Sequence, residues 1–346
     1  MTSVSVVIPC YNYGHFLDEA VTSVLDEQPG ADVRVLIIDD ASTDDSAEVA
    51  KKIAARDPRV EVAIHPVNIG HVKTFNEGLL EWAEGDYSVL MSADDLLTPG
   101  SLRRATDLLD AHPNVGFVYG HPLWFIHGEP LPKARTRAQG WSVWPGHWWV
   151  ERRFRAACNC IISPEVVVRT SLQKRVGGYD LRMPHAGDLE MWMRLAANAD
   201  VGFLRGVDQA YHRMHGKNMI TTFSALGDLR QRRLAYEEVL EHYSDKLTDA
   251  ARLSDVVHRK LGREALWIAA RAYDRGSARQ NPVGELEEFA FDCWPEASKL
   301  PMYRTLQLRK RIGANAMPYL QPLILSAFAN KAAWWLRRRS WKWRGY

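Results

Sequence analysis

The first 120 residues alternate short apolar runs with stretches of helical spacing, and the apolar runs stop on polar or turn-forming residues. "VSVVIP" (4–9) and "VRVLIID" (33–39) are rich in β-branched residues and read as buried strands. "VEVAIHP" (60–66), "YSVLMSA" (87–93) and "VGFVYG" (115–120) repeat the form. Helical segments lie between them, at 16–25, at 74–83 and in "STDDSAEVAKKIAA", where a capping hydroxyl and acids open the first turn. "PGSLRRATDLLDA" places Pro99 in the first turn of another helix. Strands alternating with helices at this pitch predict an α/β fold, a mostly parallel central sheet with helices on both faces. In such sheets ligands bind at the carboxyl ends of the strands. Pro9-Cys10-Tyr11-Asn12, Asp39-Asp40 and Asp94-Asp95 all fall there.

Composition narrows the function classes. The chain has 346 residues, 46% hydrophobic and 25% charged, which is a globular composition. No window holds the roughly 18 apolar residues of a membrane span. The start "MTSVSVVIPC" lacks the basic opening and small-residue cleavage site of a secretory signal, so a cytoplasmic setting is expected. Cys10, Cys158, Cys160 and Cys293 do not make a disulfide framework, and the lone Cys-x-Cys lacks further ligands for zinc. The net charge of +2 hides an asymmetry: residues 297–346 hold 11 Lys or Arg and no acid, leaving −9 for residues 1–296. Charge of one sign on one segment points to an anionic partner.

Between Trp124 and Ala157 five tryptophans (Trp124, Trp141, Trp144, Trp148, Trp149) and several Pro, Gly and Arg replace the alternation. The segment reads as a long loop or flap that could cover a ligand. Short helices are expected around Pro164–Leu172 and Asp188–Ala197, and a charged helical region from about Ala225.

Each acidic cluster has two readings. Asp40 after strand 2 either caps a helix or accepts the N–H of a nucleobase, with Tyr11 as a stacking ring. A dinucleotide site would need Gly-x-Gly-x-x-Gly after strand 1, and "PCYNYGHF" has one glycine. Asp94 and Asp95 are either turn punctuation or a cation site, since Mg²⁺ or Mn²⁺ takes one or two carboxylates and leaves other positions to phosphate and water. Asp188 and Glu190 either favour a helix start or place a general base beside a substrate hydroxyl, with Gly187 allowing close approach. His212, Arg213, His215 and Lys217 crowd six residues, which suits a diphosphate, and imidazole can ligate Mn²⁺.

Taken in order, "VSVVIPCYNYGHFLDEAVTSVL", "VLIIDDASTDDS", "NIGHVKTFNEGL", "GDYSVLMSADDLLTPGSL", "GGYD", "AGDLEMWMRLA" and "YHRMHGKNMI" resemble the motif series of family 2 glycosyltransferases. The resemblance runs over about residues 3–220 and implies the GT-A fold with an inverting, nucleotide-sugar-dependent activity. It implies that Pro9, Tyr11, Asn12 and Asp40 hold the base, and that Asn68, Gly70 and Asn76 line the nucleotide pocket. The usual Asp-x-Asp reads Ser92-Ala93-Asp94, so Ala93 and Asp94 fall at the donor diphosphate, with Asp94 and His215 as ligands of Mn²⁺ or Mg²⁺. Asp188 matches the catalytic base. Asp95, Gly187, Glu190 and Trp148 are candidate acceptor contacts. Three departures stand out: Ser92 for the first acid, Gly187 for the Glu of Glu-Asp, and Phe75 where many relatives carry Arg.

The implied layout is a glycosyltransferase domain over 1–222, with a nucleotide half to 120 and an acceptor half beyond, followed by a helical region over 223–346. The implied partners are a UDP-linked sugar donor and a carbohydrate or lipid-linked acceptor. The tail 320–346 joins paired Trp to an Arg block, which suits either an anionic membrane surface, on the inner face of the plasma membrane, or docking on the acidic body. No nucleic-acid module accompanies it, so nucleic acid is not an expected partner. A sugar nucleotidyltransferase would want a Gly-rich, basic phosphate loop after strand 1. A processive synthase would want spanning helices and Gln-x-x-Arg-Trp. A non-catalytic nucleotide or carbohydrate binder on the same fold is the alternative from a different class.

Overall fold

The computed structural model describes residues 2–216, 218, 223–320 and 345. It comprises two compact units, Met1–Val150 with Cys160–Thr221 and Gly345, and Glu151–Asn159 with Thr222–Arg344 and Tyr346. In the first unit β1 (Thr2–Cys10), β2 (Ala31–Asp39), β3 (Val60–Ile64) and β4 (Tyr87–Leu90) pair in parallel in the order β3-β2-β1-β4. Helices α1 (Gly14–Leu25), α2 (Ser46–Arg56) and α3 (His71–Asn76) supply the crossovers. α3 passes into a π-helical turn, Glu77–Trp82, rather than continuing as one α-helix. The backbone there packs directly on β1: a Cβ on Gly78 would lie 2.3 Å from Val7 Cγ1.

Beyond β4 the sheet becomes mixed. β6 (Val115–Ile126) runs antiparallel to β8 (Val167–Arg169), which itself lies antiparallel to β4. β9 (Asp200–Met214) is parallel to β6, and β5 (Leu96–Leu97) and β7 (Trp141–Trp144) are antiparallel to β9. Helices α4 (Ser101–Ala111), α6 (Thr170–Val176) and α7 (Gly187–Ala196) complete this unit. Register places the chemistry: Cys10 pairs with Asp39, Asp39 with Ile64, and Val7 with Leu90. The turn after β1, the acids after β2 and Ser92–Asp95 therefore emerge at one end of the sheet.

Two expectations need correction. Trp124–Ala157 is not a long loop: β6 runs through Trp124 to Ile126, β7 joins the sheet, and α5 (Gly146–Ala156) follows. Its tryptophans serve packing, with Trp149 fully buried and Trp144 stacked on Phe203 at 5.7 Å. The stretch Pro164–Leu172 is not one helix but a 3-10 turn, Ser163–Glu165, then β8 and the start of α6.

The second unit contains the end of α5 with α8 (Ala225–Tyr243), α9 (Ala250–Asp274), α10 (Val283–Cys293) and α11 (Pro301–Ile312). Phe154 packs on Tyr236 at 4.9 Å, and the Tyr236 hydroxyl donates to Arg153 O at 3.1 Å. Part of the basic run is absorbed here: Arg309 pairs with Asp274 at 2.8 Å, both buried, and Lys310 pairs with Glu287. Among the described residues no helix is long and apolar enough to cross a membrane. Of the tail 320–346, residues 321–344 and 346 lie outside the described residues, as does Lys217.

Candidate active site

At the ends of β1 and β2 the backbone turns are tied together. Asn12 adopts φ 60°, its N–H donates to Ser42 Oγ at 2.9 Å, and its Oδ1 accepts from Thr43 N at 2.8 Å. Pro9 is half-buried, and the Tyr11 ring is 46% exposed, open to stack on a planar ligand. Asp40 is turned inward. Its carboxylate accepts from Ile69 N (2.8 Å) and Gly70 N (2.9 Å) and meets His65 Nδ1 at 2.8 Å. His65 Nε2 lies 2.8 Å from Glu77. Asn68 closes the loop by donating to Asp40 O at 3.0 Å. Burial acts to raise the Asp40 carboxyl, but these bonds outweigh it and hold it below the usual range. Burial likewise opposes protonation of His65, and the two carboxylates override it. The carboxylate oxygen with nothing to bond at this strand end belongs to Asp39: its Oδ2 accepts from Ser42 N at 3.0 Å, and its buried Oδ1 has no partner.

The end of β4 carries a second cluster. Ala93 is buried, and Asp94 Oδ2 lies 2.9 Å from His215 Nε2 and 3.2 Å from Asn218 Nδ2. Burial and the adjacent Asp95 push the Asp94 carboxyl up against the pull of His215. His215 sits between Tyr13 and Phe16, each ring 5.4 Å away. Arg213 Nε donates to Asp94 O at 2.8 Å, and its guanidinium lies 4.7 Å from both Phe16 and Phe125. The donor set fits a divalent cation of the Mn²⁺ type, with one carboxylate oxygen and one imidazole nitrogen converging 2.9 Å apart. Asp95 faces the other way, 1% exposed, accepting from Arg213 N at 3.0 Å and meeting His212 Nδ1 at 3.1 Å.

The third cluster is the start of α7. Ser163 Oγ donates to Asp188 and lies 3.0 Å from each of its carboxylate oxygens. Burial raises the Asp188 carboxyl to about 6 against the opposing effects of Ser163, His185 and Tyr179. That value suits a general base at neutral pH. Glu165, on the same turn as Ser163, is 1% exposed; Ile162 N donates to its Oε1 at 3.2 Å, and its Oε2 has no partner. Burial, with Asp95 and Asp188 both nearby, pushes the Glu165 carboxyl well above its usual range. One turn thus borders the β4 acids on one side and the α7 acid on the other.

Residues 5–170 match the family model described as glycosyl transferase family 2. The chain carries a family 2 glycosyltransferase domain. It is 32% identical over 137 residues to an uncharacterized glycosyltransferase of Nostoc sp., covering 40% of this chain and 41% of that protein. It is 30% identical over 126 residues to the minor teichoic acid biosynthesis protein GgaB of Bacillus subtilis, covering 36% of this chain and 14% of that one. The chain thus spans less than half the length of these relatives. The fold resembles S. aureus TarS 1–349 with a TM-score of 0.62 at 18% identity, covering 91% of this chain and 89% of that one. It also resembles the mannosyltransferase PcManGT of Pyrobaculum calidifontis in complex with GDP-Man and Mn²⁺, with a TM-score of 0.52 at 15% identity, covering 94% and 86%. The mixed sheet with flanking helices is the GT-A fold.

Several predicted residues have other work in this glycosyltransferase domain. The Asp40 carboxylate shapes the 65–70 loop, and Asp95 braces β9. The Asn76 amide is spent on the Tyr179 backbone, accepting from its N–H at 2.6 Å and donating to its C=O at 2.8 Å. Glu190 is buried against Arg194 at 2.7 Å, and Arg194 donates to Val176 O and Gly178 O. Trp148 stacks on Trp144 at 6.1 Å, and Gly146 N, at the start of its helix, bonds Asp200, beyond the far end of α7 from Asp188. Gly187 leaves room for Tyr179, whose Cδ1 would lie 3.3 Å from a Cβ there. Ser163, Glu165, Tyr179 and Asn218 were not singled out in the sequence. "GGYD" served only as a landmark, and Ser-Pro-Glu reads as an ordinary helix start. Open cavities of about 730 and 420 Å³ lie at the opposite, amino ends of β1, β4 and β6, lined in part by Thr2, Tyr87, Arg169 and Val115, away from all three clusters.

Proposed function

We propose that the protein transfers a sugar from a nucleotide-diphosphate sugar, UDP-linked, to an acceptor hydroxyl with inversion at the anomeric carbon. Asp188 accepts the acceptor's hydroxyl proton as that oxygen attacks the anomeric carbon. The bond from that carbon to the diphosphate oxygen breaks in line, and the nucleoside diphosphate leaves. Asp94 and His215 hold the divalent cation, which when bound neutralises charge on the diphosphate. Tyr11 meets the base by stacking. A UDP-GlcNAc complex of TarS and a GDP-Man complex of PcManGT support a nucleotide-sugar donor.

The observation that supports this reading is Asp188 at the start of α7: Ser163 Oγ lies 3.0 Å from each of its carboxylate oxygens, and its carboxyl is pushed up to about 6, as suits a general base. The acceptor is a glycan or glycoconjugate hydroxyl at a cytoplasmic membrane face, and the domain layout is a transferase unit to about residue 222 with a helical region after it. A panel of UDP-, GDP- and dTDP-sugars with Mn²⁺ tests the reaction class. Release of free nucleoside diphosphate from one donor is expected. Tight nucleotide binding with no release from any donor would favour the non-catalytic alternative.

A further inference from the structure

The carboxyl ends of β6 and β9 present two faces of different character. The strands run parallel there, with Trp124 opposite His212, Phe125 opposite Arg213 and Ile126 opposite Met214. Side chains alternate along a strand, so Phe125 and Arg213 share one face and Trp124 and His212 the other. The first face is closed. Phe125 is buried in the core that it shares with α1 and α4, and Arg213 pairs with Glu19 of α1 at 2.5 Å. The second face stays open. Trp124 packs edge-on to His212 at 4.4 Å, yet the residue is 38% exposed, and Ile126 beside it is exposed too. His212 Nδ1 is held by Asp95 at 3.1 Å, and its Nε2 bonds nothing among the described residues. This is also the side of the sheet that carries Asp188. Val118 lies in the same core as Phe125, whereas Phe117 points the opposite way and stacks on Trp192 of α7 at 5.9 Å. The Ser163–Glu165 turn, which bonds Asp188, abuts β5, whose Leu96 follows Asp95 and pairs with Tyr211.

We propose that Trp124 and His212 form a subsite for a pyranose of the acceptor, the sugar ring lying on the indole and one hydroxyl bonded to His212 Nε2. A pyranose has an apolar face of C–H groups and a rim of hydroxyls. A half-open indole beside an imidazole whose direction is fixed by Asp95 meets both. The inference rests on the transferase reading, with Asp188 as its base. A pyranose enters such a site with the donor or with the acceptor, and position decides between them. His215, the cation ligand, stacks on Phe16 of α1 at 5.4 Å, on the closed side. Trp124 lies on the side of α7, where the acceptor oxygen gives up its proton to Asp188. Asp95 then serves the acceptor indirectly, by orienting His212.

The test uses the full chain, Mn²⁺ and the donor that turns over fastest in the panel. Methyl glycosides of glucose, galactose, mannose and N-acetylglucosamine serve as acceptor probes. At least one glycoside should speed nucleoside diphosphate release over release into water. Trp124→Ala should raise KM for that glycoside about tenfold or more and move the donor KM by less than about threefold. Trp124→Leu, which keeps apolar bulk without a flat ring, should act like Trp124→Ala, and Trp124→Phe should recover most of the loss. His212→Asn keeps an amide N–H for Asp95 and puts nothing in place of Nε2, so it should raise the same KM about threefold or more. A donor KM that rises in Trp124→Ala assigns the ring to the donor sugar and overturns the proposal. So does a glycoside KM that stays unmoved in Trp124→Ala or in His212→Asn. If Trp124→Ala does not fold, Trp124→Leu decides on the same terms. Release into water that no glycoside speeds overturns the subsite and leaves the transferase reading standing. No release from any donor defeats the transferase reading, and the subsite with it.

Discussion

Asp40 and Asp188 lie in the same unit at the edge of the same site, and their surroundings drive them in opposite directions. Asp40 is met by two backbone amides and a histidine, and its carboxyl is held below the usual range. Asp188 is met by the Ser163 hydroxyl, too little to offset burial, and its carboxyl is pushed up to about 6. Donors and burial together separate the two: Asp40 gains two backbone amides and a histidine, whereas Asp188 gains the Ser163 hydroxyl against a larger effect of burial. A carboxylate saturated with donors organises a loop. One left with weak donors keeps an appetite for a proton, as a base requires.

The sharpest way to break that contrast is Asp188→Asn. Turnover should fall by about 10²–10⁴-fold while UDP affinity holds, measured by nucleoside diphosphate release and calorimetry. The folded protein should be no less stable at neutral pH, because burial makes the ionised carboxylate costlier in the folded state than in the unfolded one. Next, chelation should abolish release, and His215→Ala should weaken Mn²⁺ binding by about tenfold or more, read from the free-ion EPR signal. A surviving rate in chelator would remove Asp94 and His215 from the diphosphate.

The pH profile follows in size. The base must be ionised, so kcat/KM should fall about tenfold per unit below pH about 6. Ser163→Ala should move that limb upward, and Ser163→Thr should restore it. At the other carboxylate the effect is on stability. His65 is raised from 6.5 and Asp40 lowered from 3.8, so their mutual stabilisation is full between those two ordinary values. It is lost as pH rises through the His65 midpoint, above its usual 6.5, and as pH falls through that of Asp40, below its usual 3.8. His65→Ala should therefore cost about 1–3 kcal/mol at pH 6 and less at pH 9, by denaturant unfolding. The smallest effect belongs to Trp148→Ala. Its ring packs on Trp144, so donor release should change less than about twofold while stability drops.

How far the sequence reached can be read from these residues. The strands were legible because a buried parallel strand tends to be a continuous apolar run, as Val6–Ile8 and Val35–Ile38 are. Asp94 with His215, 121 residues apart, came from matching an ordered set of motifs, since no local rule links them. The tryptophan segment misled because its ring faces fill the space around β7 and β9, and aromatic composition does not say whether a ring covers a ligand or a neighbouring strand.

The sequence by itself determined the α/β alternation, the end of the sheet where polar residues gather, and which residue types were on hand there. Those follow from periodicity and strand length, which are local properties of the chain. Only the tertiary structure decided which acid is satisfied and which is not: Asp39 or Asp40, Asp95 or Asp188. That depends on donors delivered from distant segments, Ile69, His212 and Ser163, and hydrogen-bond partners brought by folding leave no mark beside the residue they serve.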